Sequence, residues 1–413
     1  MRHAKNTVRY YLILTALLIF LFFSNDFGLI DIQKTAIVLA AGIDRDGATF
    51  IVTTQIAVPK DSEQGGSVQA VQIESRGATV AEAFNQINAK TGWYPKLVFC
   101  DLLVLGKTAT ERNVFEALDY FLRDEYMSDG CLVAACDGSA KDILNAQTPI
   151  EGISSLAAQK VLSEHAVQSG MVAVNSLRTF AIGYYGAGKS GYLPIIKTES
   201  PEETPSKSGD SGASGGSSSG GENSGSSGGG SGGSEGSTDS GNKKESVYSA
   251  SETALFYDGV MTGRLNAEET FALCVAKEKL KLASYSLEHA GCDYALQIKT
   301  NEPKIKFSVD KNARAHLKIN VELTAGIQDI SSPQAAAELL TGGNIPKEIF
   351  GRAKEKLSGE IQSVFEKSRN CKCDVFGILE RLQKFEAGYY SAFKEDILER
   401  LDYKIEVSFE SLR

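Results

Sequence analysis

The sequence predicts a mixed α+β and α/β protein: two exported modules of strands and helices, joined by a disordered Ser/Gly linker, behind one N-terminal membrane segment. Three observations carry this expectation. Strand-like runs alternate with helix-period runs through residues 31–198. From 199 to 246 the composition collapses to Ser, Gly and a few charged residues. Near the N-terminus a short uncharged apolar run follows basic residues.

The chain has 413 residues, 42% of them apolar, enough for two or three domains with cores. Its formal charge is −9 and no basic stripe occurs, which argues against a nucleic-acid partner, since affinity for phosphate backbones comes from clustered Lys and Arg.

Residues 1–24 read as a signal-anchor. Arg2, Lys5 and Arg9 precede the uncharged run Tyr11 to Phe23, so the positive-inside rule keeps the tip cytoplasmic and everything after Phe23 outside the membrane. The following SNDFGL offers no small-x-small cleavage pattern, and an uncleaved anchor is preferred to a removed signal peptide.

The first module, 31–198, opens with AIVLAAGIDRDGATFIVTTQIAVP, two β-rich runs around Asp44-Arg45-Asp46-Gly47. This reads as a hairpin with Gly47 at a positive φ, and the aspartates as turn residues, since no D-x-D-x-D-G calcium loop follows. VQIESRG is a further strand. In TVAEAFNQINAKTG, Thr79 and Glu82 form a capping box, and Val80, Ala83, Phe84 and Ile87 fall at helical spacing. KLVFCDLLVLG then reads as a strand, NVFEALDYFLRD as a helix, GCLVAACDG as a strand and SAKDILNA as a helix opened by Ser139.

Residues 199–246 form the tether. With no apolar residues to bury it cannot offset its ordering entropy, and its typical span is roughly 35 to 40 Å. It is expected to rule out one continuous core.

The second module, 247–413, starts ETALFYDGVMTGRLNAEETFALCVAKEK: strand, Asp258-Gly259 turn, strand, and a helix capped by Asn266 with Glu269. Glu268 and Glu269 read as complements to the helix dipole. YALQIKT and KIKFSVD are two β-rich runs, and Leu317, Ile319, Val321 and Leu323 alternate in a half-buried strand. Two long helical patterns follow, from Ile345 and from Val375, before a last strand, YKIEVSFESL.

One motif invites a nucleotide. Gly183, Gly188, Lys189 and Ser190 match G-x-x-x-x-G-K-[ST], a pattern that works when a strand leads into the loop and a helix starts at its end. Here Leu177, Phe180, Ala181 and Tyr184 make a helix before the glycines, while Gly191 and Pro194 disfavour one after them. The loop would meet the negative end of a helix dipole, so the match is judged a false positive and no nucleotide is expected. Tyr184, Tyr185 and Tyr192 are read as core packing at a helix end rather than a pocket lining.

No cofactor and no metal site is expected. Seven cysteines cannot all pair within one chain; Cys100 and Cys131 sit in apolar runs as small hydrophobes, and Cys371-Lys-Cys373 has no His or Cys at zinc spacing nearby. The four histidines (His3, His165, His289, His316) form no H-x-x-x-H pair and no G-x-S-x-G elbow occurs, which weighs against an enzyme, including a cell-wall hydrolase. An interaction protein is preferred, with an extracytoplasmic ligand-binding module as the alternative.

AIVLAAGIDRDGATFIVTTQIAVP, SRGATVAEAFNQI and LVFCDLLVLG with LDYFLRD resemble, in that order, the N-terminal domain of the Ger(x)C family, the C-subunits of spore germinant receptors; ETALFYDGVMTGRLNAEET and CDVFGILERLQK resemble its C-terminal domain. The resemblance implies a membrane-attached, non-enzymatic subunit working with two integral-membrane partners, the A- and B-type subunits, in germinant sensing at the spore inner membrane. One departure stands out: family members usually carry a lipobox cysteine, whereas the first cysteine here is Cys100, so the segment up to Phe23 must serve as the anchor.

Overall fold

The structure is a computed structural model and describes residues 10–20, 35–59, 68–149, 151–200, 246–333, 336 and 346–411. The expected tether and most of the N-terminal leader lie outside the described residues. Within the leader, residues 10–20 form a helix, α1, with apolar side chains from Tyr10 to Phe20 exposed on every side. Among the described residues no helix is long and apolar enough to cross a membrane.

Strand β1 (Thr35–Asp46) and β2 (Thr49–Pro59) form the expected hairpin, closed at Gly47 with φ 59°. Then come β3 (Val68–Gly77), α2 (Val80–Thr91), β4 (Tyr94–Lys96), β5 (Leu102–Leu105), α3 (Lys107–Thr110), α4 (Phe115–Arg123), β6 (Leu132–Ala135) and α5 (Ala140–Asn145). They are followed by α6 (Ser154–Val161), α7 (Glu164–Ser169), α8 (Leu177–Tyr185), β7 (Ser190–Glu199), β8 (Val247–Tyr257) and β9 (Val260–Leu265).

All nine strands make one sheet in the order β3-β2-β1-β5-β6-β7-β8-β9, with β4 beside β1. Its centre, β1-β5-β6-β7, is parallel and its flanks are antiparallel. Both faces are covered, which is why the central strands read as unbroken apolar runs. Leu103 and Leu105 of β5 join Phe84, Phe121 and Phe180 from α2, α4 and α8 on one face; Leu102 and Val104 join Ala140, Leu144 and Ala158 from α5 and α6 on the other.

The sheet does not divide where the tether does. β7, which ends at Glu199, pairs along its length with β8, which starts at Val247, so the expectation of no continuous core is corrected. The chain therefore leaves and re-enters this sheet through neighbouring strands, Glu199 pairing with Val247.

The second sheet is β10 (Ala283–His289), β11 (Cys292–Val309), β12 (Ala315–Ile330) and β13 (Asp402–Ser411) in that order, with β13 parallel to β12. Between the sheets lies α9 (Ala267–Lys277), and α10 (Lys347–Asn370) covers the second sheet with Ile349, Ala353, Leu357, Ile361 and Val364 against the inward row Leu317, Ile319, Val321 and Leu323. Helices α11 (Ile378–Phe385), α12 (Ala387–Phe393) and α13 (Ile397–Arg400) complete it.

Three expectations change here. YALQIKT and KIKFSVD are one strand, β11, running through Pro303. β10 pairs only as far as Ile298, so at Pro303 β11 is an edge strand paired with β12 alone, the setting in which sheets tolerate proline. The helical pattern from Val375 breaks into α11 to α13, since Glu386 leaves helical geometry at φ −132°. KLVFCDLLVLG is not one strand: Lys96 ends β4, the chain turns at Leu97–Cys100 with Val98 and Phe99 exposed, and β5 follows.

Candidate functional site

The glycine loop connects α8 to β7, so its order is helix, loop, strand, the reverse of a phosphate-binding loop. Ser176 caps the start of α8 by accepting from Thr179 N. Gly183 faces β7 closely: a Cβ there would lie 2.2 Å from the Ser190 carbonyl oxygen, so glycine is required by backbone contact. Lys189 turns to Asp258, 3.2 Å away, in an ion pair more than half exposed. Ser190 donates to the Gly188 carbonyl and accepts from Asp374 N at 2.9 Å.

Behind the loop lies a cavity of about 310 Å³ lined by Gly183, Gly188, Ser190, Asp374, Glu380 and Lys384. Lys189 is not among its lining residues, and the Lys384 ammonium is held by Glu380 at 3.1 Å. Asp374 is buried, which pushes its carboxyl pKa up; one oxygen accepts from Leu379 N at 2.7 Å and the other has no partner. A triphosphate would therefore meet a buried carboxyl instead of free ammonium groups. Gly183→Ala is expected to lower the melting temperature by several degrees, because α8 must move off β7, whereas Lys189→Ala changes stability by less than about 0.5 kcal/mol, as for other exposed pairs. Thermal unfolding of both variants checks this ordering; a larger loss at Lys189 would overturn it.

A second cavity, about 220 Å³, opens between the two sheets. Met171 and Ser251 reach it from the first sheet's side, Phe271 from α9, Tyr285 from β10, and Lys356 and Glu360 from α10. Phe271 and Tyr285 stack at 5.4 Å. The Tyr285 hydroxyl donates to Glu360 Oε2 at 3.1 Å, while Glu360 Oε1 is buried with no hydrogen-bond partner. Lys356 Nζ donates to the Ser286 carbonyl and stands 3.7 Å from Glu360 and 3.9 Å from Glu268.

Burial pushes Glu360 up to about 6, with Lys356 and the Tyr285 hydroxyl offsetting part of that rise. A carboxyl with a raised folded pKa stabilises the fold fully below its unfolded value, and this contribution is lost as pH rises through 6. Glu360→Gln is thus expected to raise the melting temperature at pH 7.5 and leave it nearly unchanged at pH 4.5. Equal shifts at both pH values would refute the assignment.

The remaining residues singled out in the sequence are dispersed. Asp44 is no turn residue: it lies inside β1 and its carboxylate caps α5, whereas Asp46 closes the hairpin and pairs loosely with Arg76. Glu269 forms the capping box with Asn266 and, beyond complementing the dipole, is buried against Lys367 and Ser363. Tyr184 stacks on Phe115 at 3.8 Å, while Tyr185 is exposed. Cys100, Cys131 and Cys373 are buried, all seven thiols are free, and no group of three or more metal-ligating side chains occurs among the described residues.

Sequence reasoning missed Asp374 and Glu360. A signal for Glu360 existed, since it stands three residues after Leu357 and four before Val364, on the apolar stripe of α10. Asp374 accepts from Leu379 N in the first turn of α11 as a capping residue would, but its N–H bonds to Ser190, a partner far away in sequence.

Two family models match the chain: the spore germination protein N-terminal domain over residues 29–198, and the spore germination B3/GerAC-like C-terminal domain over 251–411. Spore germination protein B3 of Bacillus subtilis (strain 168) is 20% identical, with 92% of this chain and 91% of that protein covered. The crystal structure of the GerBC protein aligns with 90% of this chain and 97% of its own, at 15% identity and a TM-score of 0.47. With one model on each side of the tether and most of its length accounted for, this chain belongs to the Ger(x)C, or GerAC-like, family of spore germination proteins.

Proposed function

We propose that the protein is a non-enzymatic, membrane-attached subunit of a germinant-receptor-like complex, contributing to nutrient-triggered germination by docking to integral-membrane A- and B-type subunits. The observation that carries the reading is the family match in both halves of the chain, in order, on either side of the tether. Two features support it. Helix α1 presents apolar side chains all round, a surface that lipid satisfies and water does not. The β7–β8 pairing ties the halves across the tether, so they can present one joint surface to partners. In this arrangement residues 1–24 anchor the chain in the spore inner membrane and both sheets stand outside the cytoplasm.

The test is recovery from spore membranes after mild cross-linking with an affinity-tagged full chain. Two multi-span proteins are expected in the purified complex. Recovery of the chain from the membrane fraction without any multi-span protein would overturn subunit membership, and recovery from the soluble cytosolic fraction would overturn the attachment.

A further inference from the structure

Exposed aromatic side chains gather at one end of the first sheet. β4 runs parallel to the start of β1, Tyr94 opposite Thr35 and Lys96 opposite Ile37, so Tyr94 and Ile37 share one face. Trp93 precedes this short strand, and Val98 and Phe99 follow it on the turn that replaces the expected longer strand. These five side chains are between 39% and 55% exposed. Lys96 places its ammonium 4.5 Å from the centre of the Tyr126 ring, adding a sixth apolar surface, half exposed. Single exposed apolar residues are ordinary, but exposed apolar side chains recurring at four positions within seven residues, beside Ile37 on the paired strand, point to a contact surface.

Position and chemistry select the occupant. The group flanks Thr35, the first residue of β1, where the chain arrives from α1. Residues 21–34 are the whole connection, a reach below about 50 Å even if fully extended. Trp and Tyr with an amphipathic Lys are the side chains that lie at headgroup depth, their rings against acyl chains and their polar tips in water. A protein partner would have to cover the same surface within reach of the bilayer.

We infer that this aromatic surface, Trp93, Tyr94, Val98 and Phe99 with Ile37 and Tyr126, is a lipid-contact surface that seats the first sheet on the membrane beside α1. The inference rests on the membrane-attached reading above and deepens it by fixing which end of the fold faces lipid. It makes the orientation of both sheets a consequence of two contacts, the apolar helix and the aromatic face.

Trp93 is the sole tryptophan of the chain, so intrinsic fluorescence reports this surface directly. The full chain is reconstituted into phosphatidylcholine/phosphatidylglycerol vesicles whose acyl chains are brominated either near the headgroup or near the methyl end. Shallow bromine is expected to quench more than about half of the Trp93 emission, and deep bromine much less, as for a ring at the interface. Tyr94→Glu combined with Phe99→Glu is expected to restore most of the lost emission while the chain still floats with the vesicles through α1. Flotation without quenching in the unsubstituted chain would overturn this inference and leave membrane attachment standing. Absence of flotation would overturn both. Cross-linking of Trp93's neighbourhood to a multi-span protein, with no quenching by lipid, would reassign the surface to a protein partner and equally overturn the inference. Because the unsubstituted chain carries the decisive measurement, a variant that fails to fold leaves the test intact.

Discussion

Asp44→Ala is expected to destabilise the protein by about 3 kcal/mol, a fall of roughly 6 to 12 °C in melting temperature for a domain of this size. Asp44 is 8% exposed, and its carboxylate accepts from Ser139 Oγ at 2.9 Å, Ala140 N at 3.1 Å and Lys141 N at 3.4 Å, at the start of a helix far along the chain. Lys141 N keeps the Ser139 hydroxyl as an alternative acceptor, but Ala140 N is buried and would be left without one. Asn at this position keeps an acceptor and costs less than half as much. Gly106 supplies a second handle: a Cβ there would lie 1.8 Å from Asp44 Oδ1, so Gly106→Ala displaces the same carboxylate. The two substitutions act on one contact, and their combination is expected to cost clearly less than the sum of each alone. Full additivity in urea denaturation would show that the carboxylate does not hold α5 to β1.

Glu269→Gln is expected to cost about 2 to 4 kcal/mol at pH 7, the range for disrupting a buried, hydrogen-bonded carboxylate. Its side chain is 7% exposed and joins α9 to α10: Oε2 accepts from Lys367 Nζ at 2.6 Å and Asn266 N at 3.0 Å, and Oε1 from Ser363 Oγ at 2.7 Å. Burial alone would raise this carboxyl, but the bonds from Lys367, Ser363 and Asn266 outweigh it and hold the group below its usual range. The depressed folded value means that the stabilisation is present above the unfolded pKa and is lost as pH falls through the folded one. Denaturation at pH 7 and pH 3 is therefore expected to show a wide gap between the unsubstituted chain and Glu269→Gln that narrows in acid. A gap of equal size at both would assign the loss to packing instead of the charged bonds.

The opposite sign at Glu360 separates the two carboxyls of the same helix pair. Glu269 has charged and hydroxyl donors aimed at both oxygens, while Glu360 has one phenol and an ammonium beyond hydrogen-bond distance. Burial is common to both. The number of donors that reach the oxygens decides which way the proton equilibrium moves.

Local pattern was legible in the sequence by itself. The hairpin at Gly47, the Asn266–Glu269 capping box, the alternation of Leu317 to Leu323, the apolar stripe of α10 and the helix-before-strand order around Gly183–Ser190 all follow from residues within a few positions of one another. Backbone sterics, caps and hydrophobic period act over that range, so one chain segment carries the whole signal. Tertiary structure alone decided the rest. β8 joins β7 across the tether, Asp44 caps α5 rather than turning a hairpin, Pro303 lies mid-strand where β10 has already ended, and Asp374 is buried with its N–H bonded to Ser190. Each depends on a partner far away in sequence, whose position is set by packing of whole layers, and no local period or propensity encodes which distant surface a residue will meet.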